Sequence, residues 1–442
     1  MAKSKLVTAI DIGSSKIATI IAQQSEETGH INVVGVASVE SRGIRKGIIV
    51  NIDEATQAVI ESVEAAERMA GVNISRTLVN ISGTHITSRN SHGVVAVSEP
   101  EGEITPEDIQ RVVEAAQAIQ LPTSQEILHV LPMQYTVDSQ DGIRDPVGMT
   151  GVRLEVNTHV ISGASTAIRN LQKCVSEIGA NLDDIVFNGY AASNAVLSET
   201  EKELGVVLVD IGGGVTDLAI YVEGSLAYSS VIPIGAKNVT NDLAIGLRVS
   251  LESAEKIKLH LGKEIKEPAL PENGDEDDDK NKKLAKLKSK QRDVLDLSSL
   301  GIKEEVQEVS RKTIVDGIIK PRLDEIFYLI GQEIKKSTYS HLVPSGLVIC
   351  GGGAMTVGAV SAAKRSLSVP VRIGEPRGVS GLIEDISNPA YATSIGLILY
   401  ALKENNYEAT GLNLKMPKAS LPRVPIKGAL GKAIELVKSF LP

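Results

Sequence analysis

Apolar residues in this chain cluster in two ways. Short runs rich in Val and Ile predict strands, and longer stretches with apolar positions three and four apart predict helices. The clearest strand runs are KLVTAIDIGSSKIATIIAQ, from Lys5, and GVVLVDIGGGVTDLAIYVEG, from Gly205. Each reads as an apolar run, then Asp-Ile-Gly, then small or polar residues, then a second apolar run. The second run predicts a returning strand, so each unit is a β-hairpin and the chain carries the unit twice. A dinucleotide-binding unit needs its glycine turn to open a helix, which this pattern excludes. No Gly-Lys-Ser/Thr follows a glycine loop, which excludes a Walker-type phosphate loop.

Between the repeats, residues 52–71 predict an amphipathic helix stopped by Gly71. Residues 81–98 predict two strands about a polar turn. Residues 105–119 predict a helix with Thr105 as N-cap, Pro106 in the first turn and Asp108 three residues after the cap. EILHVLPMQYTVD and RLEVNTHVISG predict two more strands, and 84–162 reads as an inserted subdomain. After the second repeat, 252–262 predicts a helix. The stretch EPALPENGDEDDDKNKKLAKLKSK is an acidic block followed by a basic one, expected to be a solvated loop or, alternatively, a basic partner contact. Residues 304–336 predict a long helix that Pro321 kinks or splits. Residues 346–367 predict strand, triple glycine, helix. The globular part is expected to end near Lys403, followed by a polar linker with Pro417, Pro422 and Pro425.

Composition narrows the possibilities. With 442 residues the chain suggests about three domain-sized units. Aromatic residues are 3 % and Trp is absent, so the cores must be aliphatic. A net charge of −9 argues against a nucleic-acid partner. Cys174 and Cys350 lack metal-type spacing and read as reduced core thiols of a cytosolic protein. Asp11 interrupts what would be the apolar core of a signal peptide, and no run reaches ~18 apolar residues.

Two facing hairpins with glycine tips can hold a polyphosphate, because glycine lets backbone N–H groups approach its oxygens. Ser14, Ser15 and Thr216 add hydroxyls and Lys16 adds charge. Asp11 and Asp210 would repel bare phosphate. They make sense beside a hydrated Mg²⁺, which favours carboxylate, water and phosphate oxygens together. Gly351, Gly352 and Gly353 can let an adenine ring lie against the backbone.

This constellation resembles the superfamily of actin, DnaK-type chaperones and sugar kinases. SRGIRKGIIVNID, ILHVLPMQYTVDSQDGIRDPVGMTGVRLEVNTHVIS, ELGVVLVDIGGGVTDLAIY and NPAYATSIGLILYA together resemble the FtsA family of bacterial actin-like division proteins. The resemblance implies an α/β actin-like ATPase fold of duplicated ribonuclease-H-like halves, with an inserted α+β subdomain 1C and a C-terminal amphipathic helix. It implies subdomain 1A at 1–83 and 163–205, 1C at 84–162, 2A at 206–240 and 340–403, and 2B at 241–339 with the charged loop near 268–292. A linker would occupy 404–426 and the helix 427–442. Asp11, Gly13, Ser14, Ser15 and Lys16 would form the first phosphate loop, and Asp210, Gly212, Gly213, Gly214 and Thr216 the second. Gly351 to Gly353 would flank the adenosine, and Glu255 and Lys258 would contact ribose and base, although an i,i+3 helix pair needs no such role. FNGYAASNAVL, 187–197, lacks the Glu-Pro-Thr segment and the glutamine of active relatives, so tight ATP binding with slow hydrolysis is expected. Implied partners are the tail of the tubulin-like protein FtsZ, with Arg311 as contact, further copies in filaments, and later division proteins through 1C.

The tail carries a pattern of its own. At ~100° per residue, Leu430, Ala433, Ile434, Val437, Phe440 and Leu441 share one helix face, with Lys432 and Lys438 at the edges of the other. Such a helix is ~21 Å long, too short to span ~30 Å of hydrocarbon. It is expected to lie in an anionic membrane surface on the cytoplasmic side, or else to dock on its own globular part. Two rival readings are a pilus-assembly-type actin-like ATPase and a small-molecule kinase of the same superfamily.

Overall fold

The computed structural model describes residues 4–25, 27–98, 102–263, 293–302, 308–381 and 384–409. Residues 1–404 form one compact unit. Both predicted hairpins form. Ser4–Ile12 pairs antiparallel with Lys16–Ser25 up to Ile12 against Ile17, and Val206–Ile211 pairs with Thr216–Val222 up to Ile211 against Thr216.

Each hairpin lies inside a larger sheet, and the two sheets share an order. In the first, Ile31–Glu40, Lys16–Ser25 and Ser4–Ile12 run antiparallel, followed by parallel Arg76–Ile81 and Asn181–Phe187. In the second, Ser225–Ile232, Thr216–Val222 and Val206–Ile211 are followed by parallel Leu347–Cys350 and Val371–Ile373. The central strand Val206–Ile211 is buried at all six positions. That explains its continuous apolar run, since strands covered on both faces do not alternate. One aliphatic core gathers residues of both sheets, Phe187, Leu208 and Val348 among them, and a second, around Phe327, takes the alternate residues Val207, Val209 and Ile211 of the second sheet.

A third sheet, of Thr87–Ala96, Arg153–Ala164, Gln125–Val137 and Gln140–Ile143, has its own small core under the helix Pro106–Gln117. Thr105 caps this helix as expected: its hydroxyl accepts from Asp108 N, while the Asp108 carboxylate accepts from Thr105 N at 3.0 Å. The polar turn expected within 81–98 forms at Ser82–Ile86, where Ile86 N donates to Gly83 O at 3.0 Å. Arg76–Ile81 ends the earlier strand, and Thr87–Ala96 is one unbroken strand through SRNSHG. Its polar residues have partners there: Ser88 Oγ donates to Ser229 O at 2.7 Å, and Ser91 Oγ to Ala116 O at 2.6 Å.

The long helix also starts later than its pattern implies. Glu308–Ser310 is a strand paired with Val294–Asp296, and helix begins at Arg311. Pro321 splits it by means of a wider turn. Residues Val315–Ile319 are π-helical and Lys320–Lys336 returns to α. The wider turn removes the clash between the proline ring and the carbonyl four residues back. The last helix, Ala392–Ala409, continues past Lys403, because nothing in LKENNYEA breaks a helix. The charged loop 268–292, the rest of the linker and the tail helix 427–442 lie outside the described residues.

Candidate functional site

The two hairpin tips meet. A Cβ on Gly213 would lie 2.8 Å from Ser15 Cβ, and one on Gly214 would lie 3.0 Å from Ser14 Cβ. Only glycine allows this approach. The third turn packs against the second hairpin: Gly351 has φ +78°, and a Cβ there would stand 2.1 Å from Asp210 Oδ1. Between the three turns is a cleft of about 240 Å³, lined by Asp11, Gly13, Ser14, Ser15, Lys16, Asp210, Gly212, Gly213, Glu255, Lys258 and Gly351 to Gly353.

Thr216 is not among them. Its side chain is buried and its hydroxyl donates to Ile234 O at 2.8 Å, so it braces the second loop from behind. Gly214 likewise faces Ser14 and the Cα of Lys46 rather than the cleft. Ser14 Oγ accepts from Gly47 N at 2.8 Å, which fastens the neighbouring Ile44–Ile49 turn to the first loop. Lys258 is nearly buried and donates to Glu255 Oε2 at 2.7 Å and Thr240 Oγ1 at 2.9 Å. Burial holds its pKa below the ordinary lysine value. Arg311 lies away from the cleft, half-buried beside Asp293.

A network of carboxylates and amides forms the floor. Asp11 accepts from Asn80 Nδ2 at 2.8 Å and Ser394 Oγ at 2.9 Å. Asp210 accepts from Thr393 Oγ1 at 2.8 Å and Asn188 Nδ2 at 3.0 Å. Asp217 accepts from Ser82 Oγ at 2.5 Å and Asn188 Nδ2 at 2.9 Å. Asn80 also donates to Asn188 Oδ1 at 2.8 Å, which joins the three. Burial raises the pKa of Asp11 despite Lys16. Burial, with Asp11 adding to it, pushes Asp210 up to about 6, and burial with Asp210 nearby pushes Asp217 up to about 8. Burial lowers the pKa of Lys16, whose ammonium stands 3.5 Å from the centre of the Tyr391 ring.

Asn80, Asn188, Asp217, Lys237, Thr393 and Ser394 escaped the sequence reading. A signal existed for some. Asp217 is the second acid of the hairpin VDIGGGVTD, and Thr393 and Ser394 lie in NPAYATS. Among the described residues no three His, Cys, Asp or Glu side chains converge as a metal-ligand set.

Two sheets of one topology, each delivering a glycine-tipped hairpin to a common cleft, define an actin-like protein of two halves. Residues 207–396 match the family described as cell division protein FtsA, and residues 83–162 match the SHS2 domain inserted in FtsA. FtsA of Pseudomonas aeruginosa is 38 % identical over 435 residues, covering 98 % of both chains. FtsA of Bacillus subtilis is 34 % identical over 429 residues, covering 97 % of this chain and 91 % of that one. FtsA of Escherichia coli strain K12 is 33 % identical over 403 residues, covering 90 % of each. The chain belongs to the FtsA family of cell division proteins. Among solved structures, the PilM–PilN type IV pilus biogenesis complex matches with a TM-score of 0.61 at 16 % identity, over 90 % of this chain and 98 % of that one, a likeness of fold. No described helix is long and apolar enough to cross a membrane.

Proposed function

We propose that this chain binds ATP with Mg²⁺ in the cleft and, so loaded, polymerises on the cytoplasmic face of the membrane, where it tethers FtsZ filaments. The observation that carries the nucleotide reading is the contact of two glycine tips above three buried carboxylates whose pKa values are raised. Buried like charges of this kind favour a cation among them. Bound Mg²⁺ would neutralise phosphate charge. Asp11 and Asp210 would hold it, through water, and Asn80, Asn188 and Thr393 fix those carboxylates in place. Ser15 and Gly213 would present backbone N–H groups at the tips, since those of Gly13 and Gly212 are spent on Lys16 O and Val215 O within the turns, and Gly352 leaves room for a base.

Hydrolysis is expected to be slow. Asn188 occupies the segment where relatives carry a water-orienting group, and its amide nitrogen is taken by two carboxylates. In this proposal the nucleotide acts as a hinge pin that sets polymer competence. The tail supplies membrane affinity through Leu430, Ile434, Val437, Phe440 and Leu441, with Lys432 and Lys438 near anionic headgroups. One short helix binds weakly, so a filament with many copies gives stable attachment. Arg311 is proposed to meet the acidic FtsZ tail, and the 84–162 insert to meet later division proteins.

Co-sedimentation with anionic vesicles and FtsZ, with and without ATP, tests this reading. The full chain should carry FtsZ to the pellet with vesicles, and deleting 427–442 should release both. Retained vesicle binding by the truncated chain would refute the anchor. The pilus-assembly and kinase readings predict no lipid-dependent capture of FtsZ.

A further inference from the structure

Three lysines line the cleft: Lys16, Lys237 and Lys258. Two are already committed. Lys258 is paired with Glu255, and Lys16 lies over Tyr391 in the field of Asp11 and Asp210. Lys237 differs. It stands in the first turn of the helix Ala236–Leu247, which belongs to the second half. Its backbone N–H donates to Gly213 O at 2.9 Å, at the tip of the second hairpin. Its ammonium reaches across the cleft and donates to Ser14 O at 2.7 Å, at the tip of the first. It forms no ion pair among the described residues, so its charge is balanced by no adjacent carboxylate.

An ammonium has three donors. With one on Ser14 O, two remain, and both are held where the tips converge. A charge-assisted bond to a phosphate oxygen is roughly twice as strong as one to a neutral carbonyl. A polyphosphate whose nucleoside lies by Gly352 and Leu259 presents its far end to the tips. We propose that Lys237 is the contact that reads the terminal phosphate of the nucleotide, clamping it to the first loop and thereby latching the two halves together. This inference rests on the reading of the cleft as an ATP site. It goes beyond that reading by naming the side chain that separates triphosphate from diphosphate. The stem of Lys237 is anchored in one half and its ammonium bonded in the other, so a phosphate captured there ties both halves. A diphosphate leaves that bond unmade and the latch resting on Ser14 O alone.

The test uses the full chain and its Lys237→Gln and Lys237→Arg variants. Affinities for ATP and ADP are measured by displacement of a fluorescent nucleotide in Mg²⁺, with unfolding midpoints of the nucleotide-free proteins as the folding control. Removing one charged bond should weaken ATP binding at least about tenfold. ADP affinity should stay within about threefold, a change of well under 1 kcal/mol. Lys237→Arg should retain most of the preference, since it keeps the charge. Should Lys237→Gln fold poorly, Lys237→Met serves in the same assay. Equal losses for ATP and ADP, or no loss for either, would overturn the proposal. If the unaltered chain binds neither nucleotide, the ATP reading of the cleft itself fails.

Discussion

Replacing Asp217 by Asn should stabilise the nucleotide-free protein, and by more at pH 8 than at pH 6. The side chain is buried, and burial together with Asp210 raises its pKa to about 8 from an ordinary 3.8. The folded state therefore binds a proton that the unfolded state has already lost over that interval. For a carboxyl with a raised pKa, the stability present at low pH is lost as pH climbs from the unfolded value through the folded one. Integrated from pH 6 to pH 8, this single group removes about 2 kcal/mol. The amide fits the same bonds. Its oxygen can accept from Asn188 Nδ2, and its nitrogen can donate to Ser82 Oγ once that hydroxyl turns to accept. Asp217→Asn should abolish this loss and also ease the burden on Asp210. For a compact unit of this size, 2 kcal/mol corresponds to roughly 2–3 °C in midpoint. The assay is thermal unfolding of both proteins in EDTA at pH 6 and pH 8. The observable is the difference between their two pH shifts, which cancels every other titrating group. Parallel shifts in the two proteins would show that Asp217 is ionised in the fold and that the reasoning is wrong.

Gly213→Val should reduce ATP affinity at least about tenfold with little effect on the unfolding midpoint, because the added side chain meets Ser15 at the tip contact and not in a core; unchanged affinity in nucleotide titration would refute the tip geometry. His129 accepts from Phe187 N at 3.0 Å and is neutral in the fold, its pKa lowered by burial to about 4. Stability should therefore fall as pH drops from its ordinary 6.5 toward 4. His129→Gln should lose about 1.5 kcal/mol less than the unaltered chain between pH 6.5 and pH 5 in urea unfolding. Single-turnover ATP hydrolysis should be slow with or without Mg²⁺, and fast Mg²⁺-dependent turnover would contradict the role given to Asn188.

The hairpins were readable because their signal is local. Asp-Ile-Gly between two β-branched runs recurs at two places, and a repeat needs no knowledge of distant contacts. The cap at Thr105 was readable for the same reason, since its reciprocal bond to Asp108 spans three residues. The polar turn within 81–98 was readable, but its place at Ser82–Ile86 was not. SRNSHG looks like solvent-facing chain until Ser229 and Ala116 stand opposite it. The start of the long helix was overestimated because Glu308–Ser310 suits a helix in isolation and becomes a strand only beside Val294–Asp296.

By itself the sequence determined the duplicated hairpin, all three glycine turns with the leading acids of two of them, and the amphipathic pattern of the tail. All of these are fixed by periodicity and by what glycine, proline and β-branched residues do to their own backbone. The tertiary structure alone decided which side chains share the cleft. Ser394 reaches Asp11 across 383 residues of sequence, and Lys237 reaches Ser14 across 223. It moved Thr216 behind the loop and brought Asn80, Asn188 and Asp217 to the floor. Hydrogen bonds over such separations form only after both sheets have packed, and no local pattern encodes them.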